Sequence, residues 1–116
     1  MTEGYNAAME EENLLEPEQL THFIKEGLLI TVPSNNQVAK IIRPFYIQLS
    51  LIADGYIVTS PISDIYELEP SIQDAVRNYL YSLVDEIIWF QDKRENLSVL
   101  LVKQLENIQT YISFVL

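Results

Sequence analysis

The amino-acid sequence predicts an α+β fold: a small antiparallel sheet of three to four strands, with a long helix packed on one face and a C-terminal helix beside it. Two patterns support this fold class. Between residues 70 and 91, apolar side chains recur at the i, i+3, i+4, i+7 spacing of an amphipathic helix. Between residues 45 and 52 they alternate, as in a strand with one buried face. A length of 116 residues with 48% hydrophobic content suffices for one domain with a core.

The N-terminal segment predicts a flexible tail and then a short helix. Residues 1–20 contain six acidic residues and no basic residue, which is typical of a mobile segment. We therefore expect residues 1–15 to form an acidic flexible tail and residues 16–116 to form a single domain. Pro17 suits the first turn of a helix and Gly27 suits the position just after one, so a helix is predicted over 17–26.

The next segments favour strands. A β-branched run over 28–32 predicts a strand, and after a polar turn residues 38–42 can pair with it. The segments 45–52 and 56–60 predict a hairpin, because the Asp-Gly pair between them favours a type I′ turn with positive φ. Residues 61–69 are interpreted as a connection that can include a brief edge strand.

Two helices complete the prediction. Ser71, with Asp74 three residues later, suits a capping-box start for the long helix, and Asp74 also favours the positive end of the helix dipole. Asn96 is the expected N-cap of a last helix over 97–113. A tight turn over 92–96 would make the two helices an antiparallel hairpin.

The long helix also has a second feature. Tyr81, Asp85 and Trp89 lie at i, i+4 and i+8, roughly opposite the core stripe. Either the C-terminal helix covers them or this face meets another chain, since Tyr and Trp are favoured interface anchors. The first turn of the C-terminal helix is apolar nearly all round from residue 97 to 102. We therefore predict a homodimer in which the C-terminal helices take part.

Composition excludes several classes of function. The net charge of −10, with scattered Lys and Arg, disfavours direct binding to nucleic acid or to an anionic membrane. It fits either solubility alone or a basic protein partner. The absence of cysteine excludes disulfides and thiolate metal sites, and no apolar run reaches the length of a membrane span. The acidic N-terminus does not read as a signal peptide, so a cytoplasmic location is expected.

No residue pattern predicts catalysis, a metal or a cofactor. His22 is the one histidine, and a metal site usually needs two or more His or Cys ligands. The carboxylates of Asp54, Asp64, Glu67 and Glu69 leave a carboxylate-only cation site formally open, but they fit a solvated loop. Three glycines provide no phosphate-binding loop, and Ser60 lacks the flanking glycines of a nucleophile elbow. We expect a protein that is not an enzyme.

One stretch resembles a known family. Gly55-Tyr56-Ile57-Val58, then Pro61, then Ser71-Ile72-Gln73-Asp74-Ala75 resemble the pattern of the HicB-type antitoxins of bacterial toxin–antitoxin pairs. The likeness covers residues 45–88. It implies a small sheet with a helix across one face, a truncated ribonuclease H-like core without catalytic carboxylates, and binding to a protein partner. The family's Pro-Asp-Leu-Pro-Gly-Cys link is absent, and the apolar C-terminal segment does not read as a DNA-binding module.

Two functional hypotheses follow. The first is a HicB-like protein-binding module that masks a small basic protein. Its predicted contacts are an acidic loop formed by Asp64, Glu67 and Glu69 and the aromatic residues Tyr81 and Trp89. The second is a self-associating scaffold or accessory protein without a toxin partner.

Overall fold

The computed structural model describes residues 18–115, and the tail predicted for residues 1–15 lies outside this range. The strands are β1 (Glu18–Ile24), β2 (Leu29–Thr31), β3 (Val38–Ile41), β4 (Phe45–Ile52), β5 (Gly55–Ser60), β6 (Ser63–Glu69) and β7 (Ile112–Val115), and the helices are α1 (Ile72–Asp92) and α2 (Val99–Gln109). Two antiparallel sheets form, in the orders β1-β4-β5-β6 and β2-β3-β7. The predicted α+β class is confirmed, with the strands divided between two sheets instead of one.

The hairpin of β4 and β5 is confirmed, although its turn differs from the prediction. Ile52 lies opposite Gly55, so Ala53 and Asp54 form the turn. Only Gly55 has positive φ here, at +141°, whereas a type I′ turn needs positive φ at both central residues. A Cβ at Gly55 would collide with the backbone carbonyl of Glu69 on the neighbouring strand. The glycine is therefore needed for close strand packing as well as for its backbone angle.

The helix predicted over 17–26 is wrong, because this segment is strand β1. It pairs with β4, with His22 opposite Ile47 and Ile24 opposite Phe45. A short apolar run can satisfy helical and strand spacing equally, and here the pairing with β4 decides. Gly27, with φ of +92°, lies in the turn that leads to β2 and donates its N–H to the carbonyl of Ile41 at 2.7 Å.

Helix α1 begins where the sequence predicts. The Ser71 side chain accepts a hydrogen bond from the Asp74 N–H at 3.1 Å, which confirms the N-cap. The helix packs on β5 and β6 and also touches β2 and α2. We call the face of the four-stranded sheet that meets α1 the inner face. Seven residues of α1 are buried: Ala75, Tyr79, Leu80, Leu83, Val84, Ile87 and Phe90.

The C-terminal segment departs from its prediction. Its helix begins at Val99 after an N-cap at Ser98, whose hydroxyl accepts the Leu101 N–H at 3.3 Å, and it ends at Gln109. A short 3₁₀ turn over Arg94–Asn96 precedes it. The predicted Asn96 cap and the 97–113 span are therefore wrong. Residues 112–115 form β7 because they complete the second sheet along β3, which lies between β2 and β7.

One cluster of buried residues unites both sheets and both helices. It contains Ile24, Phe45, Ile47, Leu49 and Val58 of the four-stranded sheet together with Ile30, Ala39, Ile41 and Ile112 of the three-stranded sheet and Leu105 and Ile108 of α2. Within the described range, no helix is both long enough and apolar enough to cross a membrane.

Candidate protein-binding surfaces

An open apolar groove lies between the first half of α1 and the part of the chain that runs from β1 into β2. Its volume is about 590 Å³. The lining residues are His22, Leu28, Leu29, Ile30, Ile72, Gln73, Val76, Arg77, Leu80 and Tyr81. The pattern that buries Leu80 toward the core also places Ile72 and Val76 along the groove, because these residues are four apart on one side of the helix.

The groove has a buried floor and an exposed rim. Ile30 and Leu80 are buried, whereas Leu29 is 60% exposed and Ile72 is also exposed. The one cation that lines it, Arg77, forms an ion pair with Asp74 of the same helix. The groove therefore presents apolar surface with little net charge, which suits contact with apolar side chains.

Tyr81 and Asp85 lie on the side of α1 that faces β2 and the β2–β3 turn. Tyr81 is half-buried and lines the groove, and Asp85 accepts a hydrogen bond from the Asn35 side chain in the β2–β3 turn at 3.4 Å. Trp89 remains 53% exposed, with its ring 5.3 Å from that of Phe90. No residue of α2 lines the groove, so the C-terminal helix does not cover the side of Tyr81 that faces the groove.

The predicted acidic loop is strand β6, and its three carboxylates do not share one surface. Asp64 is exposed on one face of the strand. Glu67 and Glu69 lie on the inner face, where the Ser82 hydroxyl of α1 donates a hydrogen bond to Glu67. Strand alternation separates residue 64 from residues 67 and 69. The brief edge strand expected between residues 61 and 69 is confirmed, whereas the idea that the three carboxylates form one acidic loop is wrong. Asp64 is exposed, and Glu67 and Glu69 are half-buried.

A hydrogen-bond network that the sequence does not predict connects β6, α1 and α2 through Glu86. The Ser63 hydroxyl donates to one carboxylate oxygen of Glu86 at 2.6 Å, and the Gln104 side chain donates to the other at 3.2 Å. Burial raises the pKa of Glu86 above its ordinary value of 4.5, the negative charge of Asp64 raises it further, and the two hydrogen bonds oppose the shift. Glu86 stands seven residues after Tyr79 and four before Phe90, a spacing that marks the buried side of the helix.

Two further hydrogen bonds connect the end of β5 and the β5–β6 turn to the two helices. The hydroxyls of Ser60 and Tyr79 are 2.7 Å apart, and the Asn107 side chain donates to the carbonyl of Ile62 at 3.3 Å. Tyr79 is fully buried, and this burial raises the pKa of its phenol. The arrangement satisfies buried polar groups at a junction of three elements, and we assign it a structural role.

The five predicted partner-binding residues are thus distributed over several places. Tyr81 lies in the groove, Trp89 lies two turns along the same helix, and the carboxylates lie on β6. Between residues 18 and 115, no group of three or more His, Asp or Glu side chains is arranged to hold a metal ion. Comparisons of the chain with protein-family models, curated proteins and solved structures found no match.

Proposed function

We propose that this chain is a non-enzymatic protein-binding module that binds a small basic protein, as the resemblance to HicB-type antitoxins implies. The observation that supports this most is the open apolar groove beside α1 in a strongly acidic protein. An exposed apolar concavity on a charged surface is typical of a protein interface.

The groove and the negative net charge of the protein would contribute to binding in different ways. The groove provides the contact surface, because Leu29, Ile72 and Val76 present apolar side chains around a buried floor. The net charge of −10 attracts a basic partner over longer distances and speeds encounter, an effect that salt weakens. Exposed carboxylates such as Asp64 contribute to this field and are also free to pair directly with a basic side chain.

The test compares two leucine variants of the tagged full-length chain. A partner is first captured from the native cell at low salt, identified, and then purified for titration. Leu29→Gln places an amide on the groove rim without changing net charge, and we expect binding to weaken about tenfold. Leu100→Gln makes the same change at the start of α2, outside the groove, where Leu100 is 74% exposed. This control should bind like the wild type.

Two outcomes contradict the proposal. Equal loss of affinity in both leucine variants would remove the groove from the interface. Failure to capture any basic protein at low salt would contradict the proposal that the protein binds a basic partner.

The second candidate function is a self-associating scaffold or accessory protein, with a homodimer as its basic unit. Exposed apolar residues support it: Trp89 is 53% exposed, and Val99 and Leu100 at the start of α2 are each 74% exposed. If Tyr81 and Trp89 are the anchors, the double change Tyr81→Ala with Trp89→Ala should convert the dimer to monomer in sedimentation velocity. A dimer that survives this change would remove both residues from its interface.

A further inference from the structure

The four-stranded sheet has a second face, turned away from α1, which we call the outer face. Strand alternation assigns its residues, since Ser60, Ser63 and Glu67 contact α1 and their neighbours must point the other way. The outer face consists of Gln19, Thr21 and Phe23 of β1, Tyr46, Gln48, Ser50 and Ile52 of β4, Ile57 and Thr59 of β5, and Asp64, Tyr66 and Leu68 of β6.

The outer face is almost uncharged, although the protein carries a net charge of −10. Asp64 is its one ionisable carboxylate, at the start of the edge strand β6. Arg43, of opposite sign, precedes β4 at the same end of the sheet, and it borders a hollow that Thr21, Gln48 and Thr59 also line. The outer face therefore carries a single charged side chain, unlike the strongly acidic molecule as a whole.

Aromatic and aliphatic side chains lie on this face without cover from the chain between residues 18 and 115. The rings of Phe23 and Tyr46 contact each other at 5.1 Å between centroids. Phe23 is 51% exposed, Tyr46 59% and Tyr66 67%. Leu68 is exposed beside the half-buried Ile57, its cross-strand partner. Depletion of charge together with enrichment of aromatic residues is the composition of an interface core.

We infer that the outer face binds the outer face of a second copy of this chain, and so forms the interface of the homodimer proposed above. Two copies that each carry −10 repel one another wherever their acidic surfaces meet. The outer face is a broad surface on which they can meet without placing like charges together. A self-complementary patch paired across a two-fold axis is the usual arrangement of a dimer, and stacked sheets pack about 10 Å apart.

The size of the face predicts a weak dimer. Its strands contain six to eight residues. Four strands spaced about 4.8 Å apart and about seven residues long span roughly 19 by 24 Å, or roughly 450 Å² of flat footprint per copy. Two footprints total roughly 900 Å² before side-chain relief is counted, near the lower limit of about 1,200 Å² for specific stable interfaces. The dimer should therefore dissociate on dilution.

The experiment is sedimentation velocity of the full-length chain over a wide range of concentration. Wild type should shift from monomer to dimer as concentration rises. Gln48→Glu places a carboxylate in the middle of the outer face, and we expect dimerisation to weaken about tenfold or more, because two like charges then approach across the interface. Salt should partly restore it by screening. Gln37→Glu, in the exposed β2–β3 turn, makes the same change elsewhere and should dimerise like wild type.

Each contrary result has a distinct meaning. Wild type that stays monomeric at every concentration overturns the outer-face interface and the homodimer together, while leaving the groove proposal intact. A dimer that resists Gln48→Glu but dissociates with Tyr81→Ala and Trp89→Ala keeps the homodimer and overturns the outer face as its interface. Equal weakening by Gln48→Glu and Gln37→Glu also overturns the outer face, since it would reflect net charge alone.

Discussion

The two faces of the four-stranded sheet are built from the same strands but meet different surroundings. The inner face carries the buried side chains of Phe45, Ile47 and Leu49, and its polar residues Ser63 and Glu67 form hydrogen bonds with α1. The outer face alternates with it residue by residue and carries uncharged polar and aromatic groups, with Tyr46 and Tyr66 more than half exposed. The comparison shows that the inner face keeps carboxylates, with Glu67 accepting a hydrogen bond from Ser82, whereas the outer face has only Asp64. In our inference, the outer face is nearly free of charge because another chain approaches it.

The largest effect should come from truncating a core residue of the inner face. Leu49 is 1% exposed, so Leu49→Ala leaves a cavity and should lower the free energy of unfolding by about 2–5 kcal/mol. Its neighbour Gln48 points to the outer face, and Gln48→Ala should change stability by less than about 0.5 kcal/mol. Urea denaturation of both variants measures the contrast. Similar losses in the two variants would show that the faces are not distinguished by burial.

A smaller effect should follow from removing one hydroxyl. Tyr79→Phe abolishes the 2.7 Å contact with Ser60 while retaining the buried ring, and we expect a loss of about 0.5–1.5 kcal/mol. Tyr46→Phe removes the same atom from the exposed outer face, and we expect almost no change. Thermal unfolding of the pair checks this. A larger loss for Tyr46→Phe would mean that its hydroxyl has a partner on the outer face.

The smallest effect concerns pH. Since burial raises the pKa of Glu86, the folded state favours its neutral form, which contributes stability below the ordinary pKa of 4.5. This contribution is lost as pH rises through the raised value. Glu86→Gln cannot titrate, so its stability relative to wild type should increase with pH above 4.5 and then level off. Unfolding free energies across this window measure the difference, and a constant difference would argue against the raised pKa.

The predictable part of the fold is the part held by local or regular signals. The long stripe of α1 extends over many turns, and its Ser71 cap satisfies a backbone N–H nearby in sequence. The alternation of β4 and the Asp-Gly pair at the start of β5 predict the hairpin, although the sequence does not show that Gly55 also lies close to the backbone carbonyl of Glu69. The sequence wrongly predicts helix over 18–24 and over 112–113, because a few residues fit both periods and their strand partners are far away in the chain.

The candidate surfaces were less predictable than the fold. The sequence singles out Tyr81 as lying off the core stripe, and in the structure it is half-buried against the core and lines the groove. His22, Leu28 and Leu29 on the opposite wall were not candidates, because a groove depends on the distance between two elements. For residues 61–69 the sequence predicts an acidic connection with a brief edge strand, whereas the seven-residue strand β6 alternates and so separates Asp64 from Glu67.

By itself, the sequence determined the α+β class, the long amphipathic helix, the β4–β5 hairpin and the acidic character, because periodicity, turn chemistry and charge act locally or add along the chain. Tertiary structure decided which strands pair, which splits them into two sheets and turns both terminal segments of the described range into strands. It also decided which side of each strand is covered. Pairing and covering are contacts between distant residues, and their free energy depends on the surfaces that meet, which no single segment contains.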